Sequence, residues 1–137
     1  MGALLVCLIG LAVVVPRTAA QPSGVPTGFN SRLGALPVGS PILVEDGTGG
    51  WIEWRFPKLD PVIDGMLDAY PVNYMKRFQE YRKLEPGWRG FVADSHADVA
   101  VLKSGSPLSA AMQSELHWRR VQRDGEWVYL VAPGSSA

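Results

Sequence analysis

Cysteine is almost absent from this chain of 137 residues: there is one, Cys7, and it lies inside an apolar stretch near the start. Disulfides, thiolate metal sites and a cysteine nucleophile are thereby excluded from everything that follows it. Histidine is nearly as scarce. His96 and His117 are the only two, and neither has a partner at the spacing of a metal-binding pair on one helix turn, so both read as helix-end or surface residues. An excess of charge of either sign is missing too. Lys plus Arg and Asp plus Glu both number 13, and setting Arg17 aside with the apolar head leaves about one net negative charge on the rest. That balance leaves no electrostatic footprint for nucleic acid.

A hydrophobic run long enough to cross a bilayer is also lacking. Residues 3–15 are unbroken apolar residues and Gly, but thirteen residues in a helix span only about 20 Å of a hydrocarbon core about 30 Å thick. Small residues at Thr18 and Ala20 fit a signal-peptidase site, so by length residues 1–20 form a signal peptide. No Lys or Arg precedes the run, however, and Arg17 follows it, which is a poor orientation signal. A truncated last transmembrane helix, its beginning upstream of Met1, has the same appearance, and both readings stay open. A lipoprotein reading of Cys7 fails, because no charged region and almost no apolar stretch precede it. The expected location is the cell membrane with the folded part on the extracytoplasmic side, or a secreted or periplasmic protein if the head is cleaved.

Residues 21–40 are rich in Pro, Gly and Ser and read as a linker, with one helical turn at 31–36. Residues 41–137 are the size of one domain. Within it, residues 41–44 and 97–102 are short apolar strands and 61–65 a further brief one, while 49–56 make a short helix stopped by Pro57. Asn73 is the expected N-cap of a helix whose apolar face carries Tyr74, Met75, Phe78 and Tyr81. Trp88, Phe91 and Val92 mark a second short helix ending by about His96. Ser106 and Pro107 start another, with Leu108, Ala111, Met112 and Leu116 inward. Asp124-Gly125 closes a hairpin between 118–122 and 127–131. The alternation predicts an α/β fold: a small, mainly parallel sheet with helices on its faces and a C-terminal antiparallel hairpin, preceded by an apolar N-terminal helix.

Few residues invite a chemical role. Asp60, Asp64 and Asp68 are carboxylates near a strand end, but Pro61 and Gly65 between them rule out a shared helix face, so turn caps and ion pairs are the plainer reading. Glu45 and Asp46 end the first strand, where open α/β sheets bind ligands, or simply form a solvated turn. Gly47, Gly49 and Gly50 superficially resemble a phosphate cradle without its required spacing, and Ser104-Gly105-Ser106 is no nucleophile elbow. Catalytic residues, a metal and a cofactor are not expected. Five tryptophans stand out in so short a chain. Trp51 and Trp54 with Tyr70, Asp64 and Asp68 nearby are the candidate ligand-binding residues, as a carbohydrate-stacking surface.

The order of motifs carries more than any one of them. It runs Gly49-Gly50-Trp51-Ile52-Glu53-Trp54-Arg55, Val62-Ile63-Asp64-Gly65-Met66-Leu67-Asp68-Ala69-Tyr70-Pro71, Glu85-Pro86-Gly87-Trp88 and Ala97-Asp98-Val99-Ala100-Val101-Leu102, then Ser106-Pro107-Leu108, Trp118 and the closing hairpin with Asp124. From about Pro41 onward this resembles the C-terminal extracytoplasmic domain of bacterial polytopic membrane proteins related to the glycosyltransferase C superfamily, the mannosyltransferase-like proteins that use lipid-linked sugars. The resemblance implies an α/β appendage behind a last transmembrane helix. It implies no transfer chemistry by this chain alone, since the family's catalytic acids lie in an earlier loop that these residues do not include. Met66 stands where the family usually has Arg, and Glu45 and Asp46 where it has Asn, so a site built on that loop is not implied. The partners expected are the membrane, through residues 1–20, and a polytopic membrane subunit or a glycan.

Overall fold

The computed structural model of this protein describes residues 24–45 and 47–135. The apolar head 1–20 with its expected helix, the first three residues of the expected linker, and Asp46 lie outside the described residues. In chain order the structure forms α1 (Asn30–Ala35), β1 (Pro41–Val44), α2 (Thr48–Arg55), β2 (Asp60–Pro61), α3 (Val72–Lys83), α4 (Trp88–Asp94), β3 (Val99–Lys103), α5 (Pro107–Glu115), β4 (Arg119–Asp124) and β5 (Trp127–Val131). Single 3-10 turns precede α1 at Thr27–Phe29 and α3 at Leu67–Ala69.

The sheet order is β2-β1-β3-β5-β4. β1 is parallel to both β2 and β3, and β5 is antiparallel to both β3 and β4. The α/β fold read from the alternation is the one formed, a parallel core with antiparallel C-terminal strands. β5 is buried at all its positions and β3 at all but Lys103, as strands covered on both faces must be. β4 is one of the two edges, and it exposes Arg119, Arg120 and Arg123 and shifts register between Arg120 and Gln122. Charge and an irregularity on an edge strand discourage pairing with another chain.

Local sequence signals explain most element ends. Ser106 Oγ accepts from Ser109 N at 3.1 Å with Pro107 in the first turn of α5. α3 stops where Leu84 turns left-handed at φ 57°, and Gly87 at φ 107° allows α4 to start. α3 and α4 pack through Phe78, Tyr81 and Phe91, with Tyr81 and Phe91 stacked at 5.0 Å. His96 and His117 end α4 and α5 as exposed residues with positive φ.

Three expectations need correction. The stretch 21–40 is not all linker: Phe29 and Leu33 are fully buried and Leu36 nearly so, and the strap is tied to the hairpin. Gly28 N donates to Asp124 Oδ2 at 2.7 Å, Gln122 Nε2 to the Gly28 carbonyl at 2.9 Å, and Trp127 Nε1 to the Gly24 carbonyl at 3.2 Å. Burying two such side chains stabilises by about 1.5–3 kcal/mol each, enough to override a composition that favours a loop. Asn73 does not cap α3, because Pro71 already sets the chain and the helix begins at Val72. The strand expected at 61–65 is only Asp60–Pro61. Val62 N still donates to the Ile42 carbonyl at 3.0 Å, but at Ile63 the chain runs beneath α2. A Cβ on Gly49 would lie 1.7 Å from the Ile63 carbonyl oxygen, so Gly49 is what lets helix and strand end meet.

Candidate functional site

Two of the carboxylates singled out by sequence, Asp64 and Glu45, hold loops. Asp64 Oδ1 accepts from Met66 N at 2.6 Å, closing its own turn, and Asp64 N donates to the Tyr70 hydroxyl at 3.1 Å. Glu45 Oε2 accepts from Lys103 N and Ser106 Oγ, both at 2.9 Å, which joins the end of β1 to the start of α5. Asp68 stands exposed on the Leu67–Ala69 turn. Of the glycines of the supposed cradle, Gly49 has a packing role, riding on Ile63, while a Cβ at Gly50 would make ordinary contact with Gly65 N at 3.4 Å and one at Gly47 would meet nothing within 4 Å. Among the described residues no group of three His, Cys, Asp or Glu side chains could hold a metal ion.

The candidate aromatics are divided. Trp51 is half-buried and meets Phe56 edge-on at 5.9 Å, whereas Trp54 is 75% exposed. Tyr70 belongs to a different place. It stacks on Tyr74 at 5.3 Å with the rings 17° apart, and the Tyr74 hydroxyl donates to the Val62 carbonyl. These two rings line an open cleft of about 330 Å³ with Asp60, Arg77, Phe91 and Asp94. Neither Trp51 nor Trp54 lines it, so the three aromatics do not form one platform.

The cleft sits at the edge of the sheet where the parallel strands begin, since Asp60 pairs with Pro41. β2 brings Asp60, α3 brings Tyr74 and Arg77, and α4 brings Phe91 and Asp94. Arg77 and Asp94 form an ion pair at 2.5 Å across the helix pair. Burial pushes the Tyr70 phenol above its ordinary value, and the nearby carboxylates of Asp64, Glu53 and Asp60 add to this against the Asp64 hydrogen bond. Tyr74 is raised by burial, then by Tyr70 and Asp60. Both phenols therefore stay neutral donors and acceptors at physiological pH. The cleft offers an aromatic wall, two carboxylates and a guanidinium, which is the equipment for recognising a polyhydroxyl or cationic group.

No protein-family model, no curated protein and no solved structure matches the chain. The sequence reading missed Tyr74, Arg77 and Asp94 as lining residues. One signal for Tyr74 was present: Tyr70 and Tyr74 are four apart around Pro71. Nothing local joins them to Asp94, which arrives from the next helix.

Proposed function

We propose that this chain is a membrane-tethered, extracytoplasmic α/β accessory domain that performs no chemistry of its own, like the tail domain of the glycosyltransferase-related membrane proteins it resembles. The observation that supports it most is the use of the polar side chains. Glu45, Asp64 and Asp124 all bind backbone amides of their own or neighbouring loops, so these three acids serve rigidity rather than a reaction. The tether is the apolar run 3–15. No helix among the described residues is long and apolar enough to cross a membrane.

The test is fractionation of the full chain expressed in a bacterial host, with mass measurement of the N-terminus. Retention in membranes after an alkaline wash, with residues 1–20 intact, is the expected outcome. Recovery in the soluble fraction with an uncut head overturns the reading. Cleavage after Ala20 with release favours a second reading, a secreted or periplasmic glycan-binding module. That alternative is favoured by the stacked Tyr70–Tyr74 pair beside Asp60 and the Arg77–Asp94 ion pair. Its own test is binding of oligosaccharides to the protein and to Tyr70→Ala, which should bind at least about tenfold more weakly if stacking carries about 1.4 kcal/mol or more of the affinity.

A further inference from the structure

We infer that the cleft beside Tyr70 and Tyr74 binds a primary ammonium group carried on a hydrocarbon stem, with Asp60 as its counter-ion. Such a site goes beyond the accessory role and is the same whether the head is kept or cleaved. At about 330 Å³ the cleft lies at the small end of ligand sites, which run from about 300 to 1,000 Å³.

Two observations point to that ligand, and the first is an uncompensated charge. Three ionised side chains line the cleft: Asp60, Arg77 and Asp94. Arg77 and Asp94 are paired with each other at 2.5 Å. Lys58, two residues from Asp60, is turned instead to the Gly34 and Leu36 carbonyls at 2.7 and 2.6 Å. The Asp60 carboxylate is left with neither a hydrogen-bond nor an ion-pair partner among the described residues. It is close enough to both phenols to raise them; Asp64 and Glu53 act on Tyr70 in the same sense, and Arg77 opposes at Tyr74. A cation neutralises this excess of negative charge, which a neutral sugar leaves standing.

The second is what surrounds that charge. The Tyr74 hydroxyl spends its proton on the Val62 carbonyl, so toward a ligand its oxygen only accepts, as the Asp60 carboxylate does. An ammonium brings three donors and no acceptor. The stacked tyrosine rings form an aromatic wall, and Arg77 already lies 5.9 Å over the neighbouring Phe91 ring, a contact of cation with aromatic that a bound ammonium repeats. Pro41, Pro61 and Val62 add apolar surface for the stem. Because Asp60 is exposed, water screens the attraction, and affinity in the millimolar range is expected. A lysine side chain of another protein and a free diamine share this chemistry.

The experiment is an NMR titration of the full chain in polyoxyethylene micelles, which carry neither charge nor sugar. The probes are Nα-acetyl-lysine methylamide, its Nε-acetylated form, cadaverine and methyl glycosides. Shifts of the Asp60, Val62 and Asp64 amides with the lysine amide or cadaverine, lost on Nε-acetylation, are expected. Asp60→Asn, which removes a side chain that holds nothing in the fold, should weaken binding at least about threefold. Arg77→Gln releases the Asp94 carboxylate and should tighten it, in protein whose remaining amide shifts match the parent. Tighter binding of the lysine amide assigns the site to a partner protein's side chain, and tighter binding of cadaverine to a free polyamine; either bears out the ammonium. An equal response to the Nε-acetylated form, unchanged affinity in Asp60→Asn, weaker binding in folded Arg77→Gln, or no shift with either amine overturns it. Shifts with the methyl glycosides alone also overturn it, in favour of the glycan-binding reading, and the membrane fractionation is decided separately.

Discussion

On the hairpin flank of the sheet, β5 pairs along its whole length with β3 and β4, and the strap ending in α1 is hydrogen-bonded over the hairpin. On the other flank β2 pairs with β1 through two residues, and order depends on loops: Asp64 closing its own turn, Tyr70 and Tyr74 bonded to the backbone of residues 62–64, Gly49 against Ile63. The first flank is built from two ladders running the whole length of β5, the outer one shifted in register between Arg120 and Gln122, and from buried aliphatic side chains. The second is built from individual polar contacts and one close backbone approach. Ladders of that length tolerate variation at single positions, whereas a flank resting on a few contacts fails at each of them. The candidate cleft lies on the second flank, which is where a ligand meets side chains that a ladder does not already occupy.

Substitutions can break or sharpen this contrast. Phe29→Ala should have the largest effect, a loss of about 4 kcal/mol in chemical denaturation, because a fully buried aromatic against Tyr129 at 5.6 Å leaves a cavity. A loss below about 1 kcal/mol would mean that the strap only rests on the hairpin flank. Gly49→Ala should cost about 3 kcal/mol, since the new methyl must displace the Ile63 carbonyl. If its unfolding midpoint matched that of the parent, the second flank would be more pliable than the contacts suggest.

Smaller changes are expected from Asp124→Ala, which removes the acceptor of Gly28 N on a partly exposed surface and should cost about 1 kcal/mol. The smallest is Tyr129→Phe. The Tyr129 hydroxyl is buried with no hydrogen-bond partner among the described residues, so its removal should leave stability unchanged or raise it by less than about 1 kcal/mol. Its signature is in alkali. Burial pushes the Tyr129 phenol from 10.0 up to about 12, against a small opposing effect of Arg32. The unfolded chain gives up this proton first, so the stability it contributes is complete below pH 10 and lost as pH rises through about 12. Melting temperature should therefore fall less steeply over that window in Tyr129→Phe than in the parent, while Tyr81, raised by burial in the same sense, keeps part of the slope in both. Parallel melting curves for the two proteins would contradict the assignment to Tyr129.

Legibility in the sequence followed the range of the interaction. The Ser106-Pro107 start of α5 and the Asp124-Gly125 turn depend on neighbours within a few residues, and both formed as read. The buried strands β3 and β5 were legible because every second residue did not need to be polar. The helical turn expected at 31–36 formed as α1, but the burial of Phe29, Leu33 and Leu36 was missed, because Pro and Gly around them dominated the composition. The candidate binding residues were legible least: Trp51 and Trp54 lie apart from Tyr70, and Asp94 joins the tyrosine cleft from another helix.

The sequence by itself determined the element types, the α/β class, the cysteine-free interior and the balance of charge, since these follow from composition and from spacing along a few turns of chain. The tertiary structure alone decided that Gly49 serves Ile63, that Glu45 holds the start of α5, and that Tyr70 shares a cleft with Asp60 and Asp94. Those pairings join residues whose separation along the chain carries no periodic signal. They exist because the parallel crossovers bring distant strand ends and helix faces within hydrogen-bonding distance.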